Sequence, residues 1–214
     1  EVNGKISDHI LLAKVQVHDK TKIQLKAAGG VDVKTPLSSL RWNGQLTELS
    51  SSGKIPIRLM SPTKVSISPE QASLGQTTFS ISDGHIHIDQ LQWTPQDWKT
   101  RGNFTGIALL PGEHPELKQP FLHLGGHWDF TSNTQLTGNL HIHREKGDWY
   151  LPGEIPQPIG LEIMQLKLAA RDEKITGKFE LISQYIGTAD AHLTLPIQQS
   201  NHRWSISEHA PLSG

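Results

Sequence analysis

Cysteine is absent from the 214 residues, and long hydrophobic runs are absent as well. The first absence excludes a disulfide scaffold and a thiolate metal site, although it is compatible with an oxidising compartment. The longest apolar runs, such as 10–13 and 107–110, have only a few residues, so no segment is long enough to span a bilayer. Apolar residues make up 35% of the chain, which is little for a thick closed core.

An excess of charge of either sign is also missing. The chain has 20 Lys+Arg and 21 Asp+Glu, with a formal net charge of -1. The sequence therefore has no basic field for nucleic acid and no acidic tail, and we expect no nucleic-acid partner. There is neither an initiator Met nor a signal peptide, and the sequence stops at Ser213-Gly214. We expect residues 1–214 to be a single segment of a longer protein.

What the sequence does contain is alternation with a period of two, most clearly between 135 and 197. Leu136, Leu140 and Ile142 fall on one side of a strand, while His141 and His143 fall on the other. Period two predicts strands with one apolar and one polar face. Similar rows recur at 161–168, 175–181 and 189–195.

The rest of the chain predicts further strands and almost no helix. Asp83-Gly84 predicts the tight turn of a hairpin over 79–89, and Pro56 suggests an edge strand or a bulge. Residues 69–75 are the best helical fragment, and the prolines of 148–158 interrupt the alternation. In all we expect about twelve to fourteen strands. The other strands are expected at 5–18 and 22–34 (joined by a turn at 18–21), 40–49, 54–60, 99–110, 121–130 and 203–208.

A short glycine pattern recurs at irregular spacing: glycine, a polar residue, then a large apolar residue. Each glycine leaves a gap on the apolar face two residues before a large side chain, which suits a strongly twisted or bent sheet. Since helices are lacking, the apolar faces could be covered in a sandwich, in a closed barrel, or in a curled sheet left open as a trough. The pattern occurs at Gly44–Leu46, Gly102–Phe104, Gly126–Trp128, Gly138–Leu140 and Gly177–Phe179.

Signatures of catalysis are lacking, so we expect no enzyme and no cofactor. There is no Gly-x-Ser-x-Gly elbow and no glycine-rich phosphate loop between a strand and a helix. The carboxylates are scattered, with Asp83, Asp148, Glu154, Asp172 and Glu173 in expected turns. A carbohydrate-binding or hydrolytic β domain stays an alternative, because paired acids on distant strands leave no local signature. Its stacking platform would use the six tryptophans, Trp42, Trp93, Trp98, Trp128, Trp149 and Trp204.

Paired histidines raise the question of a metal site. His85 and His87, followed by Asp89, share one side of a strand, as do His141 and His143, and this spacing suits zinc. The simpler interpretation is that the intervening isoleucines and leucines point inward and leave the histidines on the polar face. We therefore expect no metal site.

One stretch resembles a known family. A Gly-x-Trp strand at Gly126–Trp128, Leu-x-Gly-x-Leu at Leu136–Leu140 and Arg-x-x-Gly-Asp at Arg144–Asp148 precede a proline-containing break. Ile159–Leu161 and Leu166–Leu168 follow it. In order and spacing these motifs resemble the TamB-domain family of the wider AsmA-like group. The resemblance covers about a third of the chain well.

The resemblance implies an all-β fold in which an elongated, curled antiparallel-type sheet forms an open U-shaped hydrophobic trough, the β-taco, without significant helix. Proteins of this family are anchored in the inner membrane of Gram-negative bacteria and extend through the periplasm. They work with an outer-membrane barrel partner of the TamA type, which would meet regions outside this segment. They are implicated in moving phospholipids between the membranes and in outer-membrane protein assembly.

We therefore expect a hydrophobic groove that carries phospholipid acyl chains. A groove that receives unfolded β strands of outer-membrane proteins is the alternative within this fold. The expected lining residues are Leu25, Leu46, Ile57, Phe79, Ile81, Ile86, Ile88, Phe104, Leu122, Leu124, Trp128, Leu136, Leu140, Ile142, Leu161, Ile163, Leu166, Leu168, Phe179, Leu181, Leu193 and Leu195.

Overall fold

The protein is an all-β chain. The structure, a computed structural model, describes residues 1–16, 21–32, 40–53, 55–109, 122–151, 156–200 and 203–206. These residues form eighteen strands and no helix, so the all-β class is confirmed. Accordingly, no described residue belongs to an apolar helix that could cross a membrane. Sixteen strands belong to one large antiparallel sheet, and β13 and β14 form a small sheet of their own.

The chain divides into two compact units, Glu1–Gly102 and Asn103–Gly214. In unit 1, β1 to β4 follow one another as antiparallel neighbours, and β4 then pairs with β5 and with β6 over different parts of its length. One path continues through β8 and the other through β7, and both reach β9. Its strands are β1 (Val2–Lys5), β2 (Asp8–Gln16), β3 (Lys22–Val31), β4 (Trp42–Ser52), β5 (Ile57–Leu59), β6 (Thr63–Ser68), β7 (Gln71–Leu74), β8 (Thr77–Ile81) and β9 (Gly84–Trp93).

In unit 2 the strands of the large sheet follow the order β11-β12-β15-β16-β17-β18. The described residues 148–151 and 156–160, which include β13 and β14, stand apart from this ladder, and we call them the 148–160 segment. The boundary between the units falls within β10 (Trp98–Leu109). The other strands are β11 (Leu122–Ser132), β12 (Leu136–Gly147), β13 (Tyr150–Leu151), β14 (Gln157–Pro158), β15 (Leu161–Arg171), β16 (Lys174–Ser183), β17 (Gly187–Ser200) and β18 (Arg203–Ile206).

Two of the hairpins with two-residue turns contain non-glycine residues of positive φ. In the predicted hairpin of β8 and β9, Ile81 pairs with Gly84, so the tip is Ser82–Asp83, one residue earlier than Asp83-Gly84. Ser82 has a positive φ of 51°. Between β15 and β16, Asp172 and Glu173 both have positive φ (52° and 59°), as a type I′ turn requires. This turn fixes the register of the ladder between β15 and β16.

Several local predictions were wrong. Residues 69–75 are not helical, because Gln71–Leu74 forms β7 and pairs with β6 and β9. Residues 5–18 do not form one strand, since a turn at 6–7 separates β1 from β2. Pro56 does not mark an edge, because β5 pairs with both β4 and β8. The predicted turn at 18–21 and the outer ends of several predicted strands lie largely outside the described residues.

Candidate functional site

The predicted groove residues of unit 1 share one face of its sheet. Cross-strand partners in an antiparallel pair point to the same side. Leu25 pairs with Leu49, and Ala27 with Leu46, across a register shift. Ile57 pairs with Ile81. Phe79, two residues before Ile81 on β8, lies on the same face and pairs with β9. The predicted residues on this face are Leu25, Leu46, Ile57, Phe79, Ile81, Ile86 and Ile88.

The predicted groove residues of unit 2 also share a face, which we call the apolar face of unit 2. A continuous row runs from Trp128 through Leu140 to Leu168, and a second from Ile142 through Leu166 to Phe179. Ile163 is the exception: it pairs with Ile182 on the opposite side. The cause is a register shift between Leu161 and Ile163. The face comprises Phe104, Leu122, Leu124, Trp128, Leu136, Leu140, Ile142, Leu161, Leu166, Leu168, Phe179, Leu181, Leu193 and Leu195.

The recurring glycines make room for large side chains of neighbouring strands on this face. A Cβ at Gly126 would lie 2.6 Å from Phe104 Cζ, and one at Gly177 would lie 2.9 Å from Leu168 Cδ2. Phe104 in turn stacks on Trp128, with ring centroids 6.4 Å apart. Each glycine is therefore covered by an apolar side chain from the next strand, an arrangement that pins the register of a curved sheet.

We expect Gly126→Ala to lower the free energy of unfolding by roughly 1–3 kcal/mol, because an added methyl overpacks this site. The new Cβ would also lie 2.3 Å from the backbone oxygen of His141, which cannot turn aside as a side chain does. Chemical denaturation measures the loss. Ala191→Val adds apolar volume on exposed β17 and serves as the control; an equal loss there would refute the explanation.

One end of the apolar face is closed by the 148–160 segment. Ile159 is buried together with Leu122 and Leu161, and Leu122 is 0% exposed. The Asp148 carboxylate accepts backbone hydrogen bonds from Trp149, Gly160 and Leu161 at 2.8 to 3.0 Å. Sequence reasoning assigned this carboxylate only to an expected turn. It fixes both ends of the segment against the sheet.

Further hydrogen bonds, from Ser183 and Tyr185, hold the 148–160 segment in place. The Ser183 hydroxyl donates to the carbonyl of Ile159, and the Tyr185 N–H donates to the same oxygen at 3.2 Å. The Arg144 guanidinium donates to the carbonyls of Gly147 and Glu162, at 2.8 and 3.1 Å. Its side chain thus joins the end of β12 to the start of β15.

At the opposite end of the apolar face, β18 meets β11. The indole Nε1 of Trp204 donates to Ser132 Oγ at 2.8 Å, and Gln199 Nε2 donates to the carbonyl of Asn133 at 3.3 Å. In the strand order these elements are separated by β12, β15, β16 and β17. Ser132, Ala170 and Ile197 are buried here, at 2%, 4% and 5% exposure.

Between the two ends the apolar face is partly open to solvent. Leu193 is 42% exposed, and Ala189 and Ala191 beside it on β17 are exposed as well. Among the described residues, β17 pairs with β16 from Gly187 to Pro196 and with β18 from Ile197 to Ser200. The stretch from Gly187 to Pro196 therefore has one free backbone edge within the described part of the chain.

The paired histidines lie on polar faces, as expected, and His87 contacts two side chains. His87 Nδ1 is 2.8 Å from Thr78 Oγ1, and its Nε2 is 3.3 Å from Asp89 Oδ1. The ring centroids of His141 and His143 are 5.3 Å apart. In the residues that the structure describes, no three His, Cys, Asp or Glu side chains are placed to hold a metal ion.

The tryptophans do not share one platform within either unit. In unit 1, Trp42 Nε1 donates to His9 Nε2 at 3.0 Å, while Trp93 is 45% exposed. In unit 2, Trp128 and Trp204 belong to the apolar face, and Trp149 lies in the 148–160 segment. Two carboxylates do oppose each other, Glu180 and Asp190, but on the polar face.

Sequence reasoning missed a set of basic side chains on the polar face of unit 2. One row of direct cross-strand partners crosses five strands: His127, His141, Lys167, Lys178 and His192. We call it the basic row. The positive balance is local, so the net charge of the chain gave no sign of it. A signal existed, because a two-residue turn at Asp172–Glu173 sets Lys167 opposite Lys178.

Comparison of the chain with protein-family models, with curated proteins and with solved structures gave no match.

Proposed function

We propose that unit 2 binds acyl chains along its apolar face, and that the chain is a periplasmic segment of a TamB-like protein that carries phospholipid between the inner and outer membranes. One observation carries the proposal. The sheet returns on itself at the Trp204–Ser132 contact, yet Leu193 of the same apolar face is 42% exposed. These two facts support a U-shaped trough that is curled around an accessible apolar lining.

The energetics favour such a lining for a lipid carrier. An acyl chain of about fifteen methylenes gains roughly 12 kcal/mol when it leaves water. Leaving even four methylenes wet along the path raises a barrier of about 3 kcal/mol. The rows from Trp128 to Leu168 and from Ile142 to Phe179 supply unbroken apolar surface across neighbouring strands. The polar groups of the strands point to the other side and keep the segment compatible with water.

The resemblance of residues 126–168 to the TamB-domain family supports the same function. Under this proposal the activity is transport and not catalysis, and the outer-membrane partner of the TamA type engages regions outside this segment. The inner-membrane anchor would also lie elsewhere in the longer protein.

Photo-crosslinking tests the proposal directly. With a photoreactive amino acid at Leu193, we expect an adduct with the acyl chains of radiolabelled phosphatidylcholine. Asp190, three residues earlier on the same strand and on the opposite face, is the matched control and should give none. Leu140→Arg places a charge in the middle of the apolar face, and we expect it to reduce the adduct roughly tenfold.

The folded state of the Leu140→Arg variant separates a trough from a sealed core. An open face tolerates the arginine, because its long side chain can carry the charge to water. Circular dichroism should then show an intact sheet. Unfolding of the variant, or equal adducts from Leu193 and Asp190, would contradict the proposal.

The free edge of β17 favours a second candidate, a chaperone groove for unfolded strands of outer-membrane proteins. An edge strand with unpaired N–H and C=O groups accepts an added strand. Among described residues, Gly187–Pro196 presents such an edge next to exposed Leu193. Capture of an unfolded barrel protein in place of lipid from the Leu193 photoprobe would favour this candidate.

A further inference from the structure

The basic row lies beside a shallow depression on the polar face of unit 2. The depression, about 500 Å³, is lined by all five members of the row together with Asn139, Ala169 and Thr176. A second depression of about 650 Å³ shares these three small residues and adds Arg171 and Lys174. A floor of small side chains is thus bordered by Lys167 and Lys178 on one side and by Arg171 and Lys174 on the other.

We call the two depressions together the basin, and its size follows from sheet geometry. Neighbouring strands are about 4.8 Å apart, so the basic row extends over roughly 19 Å. Lys167 and Arg171 are four residues apart on β15, which is about 13 Å. Lys178 and Lys174 have the same separation on β16. The basin therefore presents two pairs of cations across a floor that includes Asn139, Ala169 and Thr176.

Sheet stability does not explain this arrangement. Like charges directly opposite each other in a sheet are destabilising, and Lys167 faces Lys178. In the part of the chain that the structure describes, none of the four basin cations (Lys167, Arg171, Lys174, Lys178) forms an ion pair. Burial lowers the pKa of His141; neighbouring Gln165 opposes this, and the charges of His143, Lys167 and His127 add to it. The two lysines of the row are thus left without a carboxylate partner in the described part of the chain.

The acidic residues of this face lie at the margins of the basin, and one of them, Asp172, lines the second depression. Glu180 and Asp190 occupy the next row on the far side of the basic row, and Gln165 Nε2 donates to Glu180 at 2.5 Å. Asp129 lies at the β11 margin, and Asp172 is in the turn between Arg171 and Lys174. An anion is therefore attracted toward Ala169 and Thr176 and repelled from the Glu180 side.

We propose that this basin docks the phosphate headgroups of an anionic lipid surface. The backbone N–H groups of the central strands are used in ladder hydrogen bonds, so the site cannot enclose a free phosphate as a nest of N–H groups does. Only exposed side chains remain, and each gives a weak attraction that becomes useful when many phosphates are presented together. No Phe, Tyr or Trp side chain lines either depression, which argues against a single-stranded nucleic acid.

Vesicle co-sedimentation of the full chain tests the docking proposal. We expect binding to vesicles that contain phosphatidylglycerol to exceed binding to pure phosphatidylcholine vesicles, and the excess to disappear at high salt. Lys167→Gln with Lys178→Gln should reduce the excess about 30-fold. This double variant removes a like-charge pair, so it should fold at least as well as the parent. Lys26→Gln with Lys64→Gln makes the same charge change in unit 1 and should bind as the parent does.

Each contrary result has a definite meaning. Equal losses in the two double variants, or no preference for phosphatidylglycerol, would overturn the proposal. Displacement of the vesicles by equimolar inorganic phosphate or by a single-stranded oligonucleotide would assign the basin to that ligand instead. The proposal is independent of the acyl-chain groove, because the Leu193 photoprobe should label phosphatidylcholine equally in the parent and in the Lys167/Lys178 variant.

Discussion

Replacing Leu122 with alanine is expected to lower the free energy of unfolding by about 2–5 kcal/mol. Leu122 is 0% exposed and packs with Ile159 and Leu161, while Leu124, Met164 and Leu181 surround this cluster. The truncation removes apolar contacts and leaves a cavity that the surrounding strands cannot fill without breaking their ladders. Chemical denaturation of the whole chain, followed by circular dichroism, measures the loss.

Leu193→Ala is the matched control, since it makes the same truncation on the same face. Leu193 is 42% exposed, so less area returns to water and no enclosed cavity forms. We expect a loss of about 1 kcal/mol or less. Equal losses at the two positions would mean that the middle of the apolar face is as tightly packed as its end, and the groove would then be a sealed core.

Replacing Asp148 with alanine is expected to cost roughly 2–4 kcal/mol and to release the 148–160 segment from the sheet. Its carboxylate accepts three backbone hydrogen bonds, and those from Gly160 and Leu161 are partly buried. Without the carboxylate these two N–H groups lose their acceptor where water reaches them poorly. Hydrogen exchange should show loss of protection at Gly160 and Leu161.

Asp148→Asn keeps one side-chain oxygen as an acceptor but removes the negative charge. We expect it to retain part of the protection, because a neutral acceptor makes a weaker hydrogen bond than a carboxylate. Protection unchanged in the alanine variant would show that the Ser183 and Tyr185 bonds to Ile159 hold the segment by themselves.

The period-two pattern predicted the strands well where apolar and polar residues alternate strictly along the chain. The rows around Leu140, Leu168 and Phe179 needed only this pattern, and the register places them on one face. Ile163 shows where the pattern fails. A register shift changes which residues face the same side, and the sequence Leu-Glu-Ile-Met gives no indication of where the shift falls.

The other failures also came from interactions between distant residues. Gln71–Leu74 has weak local preferences, and pairing with β6 and β9 on both sides decides that it is a strand. Beyond the Lys167–Lys178 pair, which the turn at Asp172–Glu173 implies, the basic row could not be predicted from the sequence, because its five members are brought together only by the registers of four ladders. The partly buried hydrogen bond that the Asp148 carboxylate accepts likewise comes from Gly160, which is twelve residues away in the sequence.

The Trp204–Ser132 bond makes one short distance sensitive to the bend of six strands. Five strand junctions lie between the indole and the hydroxyl, so a small change of twist at any junction is added to the others before it reaches this pair. A guest molecule that spreads the strands would part these two atoms first. The distance between Trp204 Nε1 and Ser132 Oγ would therefore report how far unit 2 has widened.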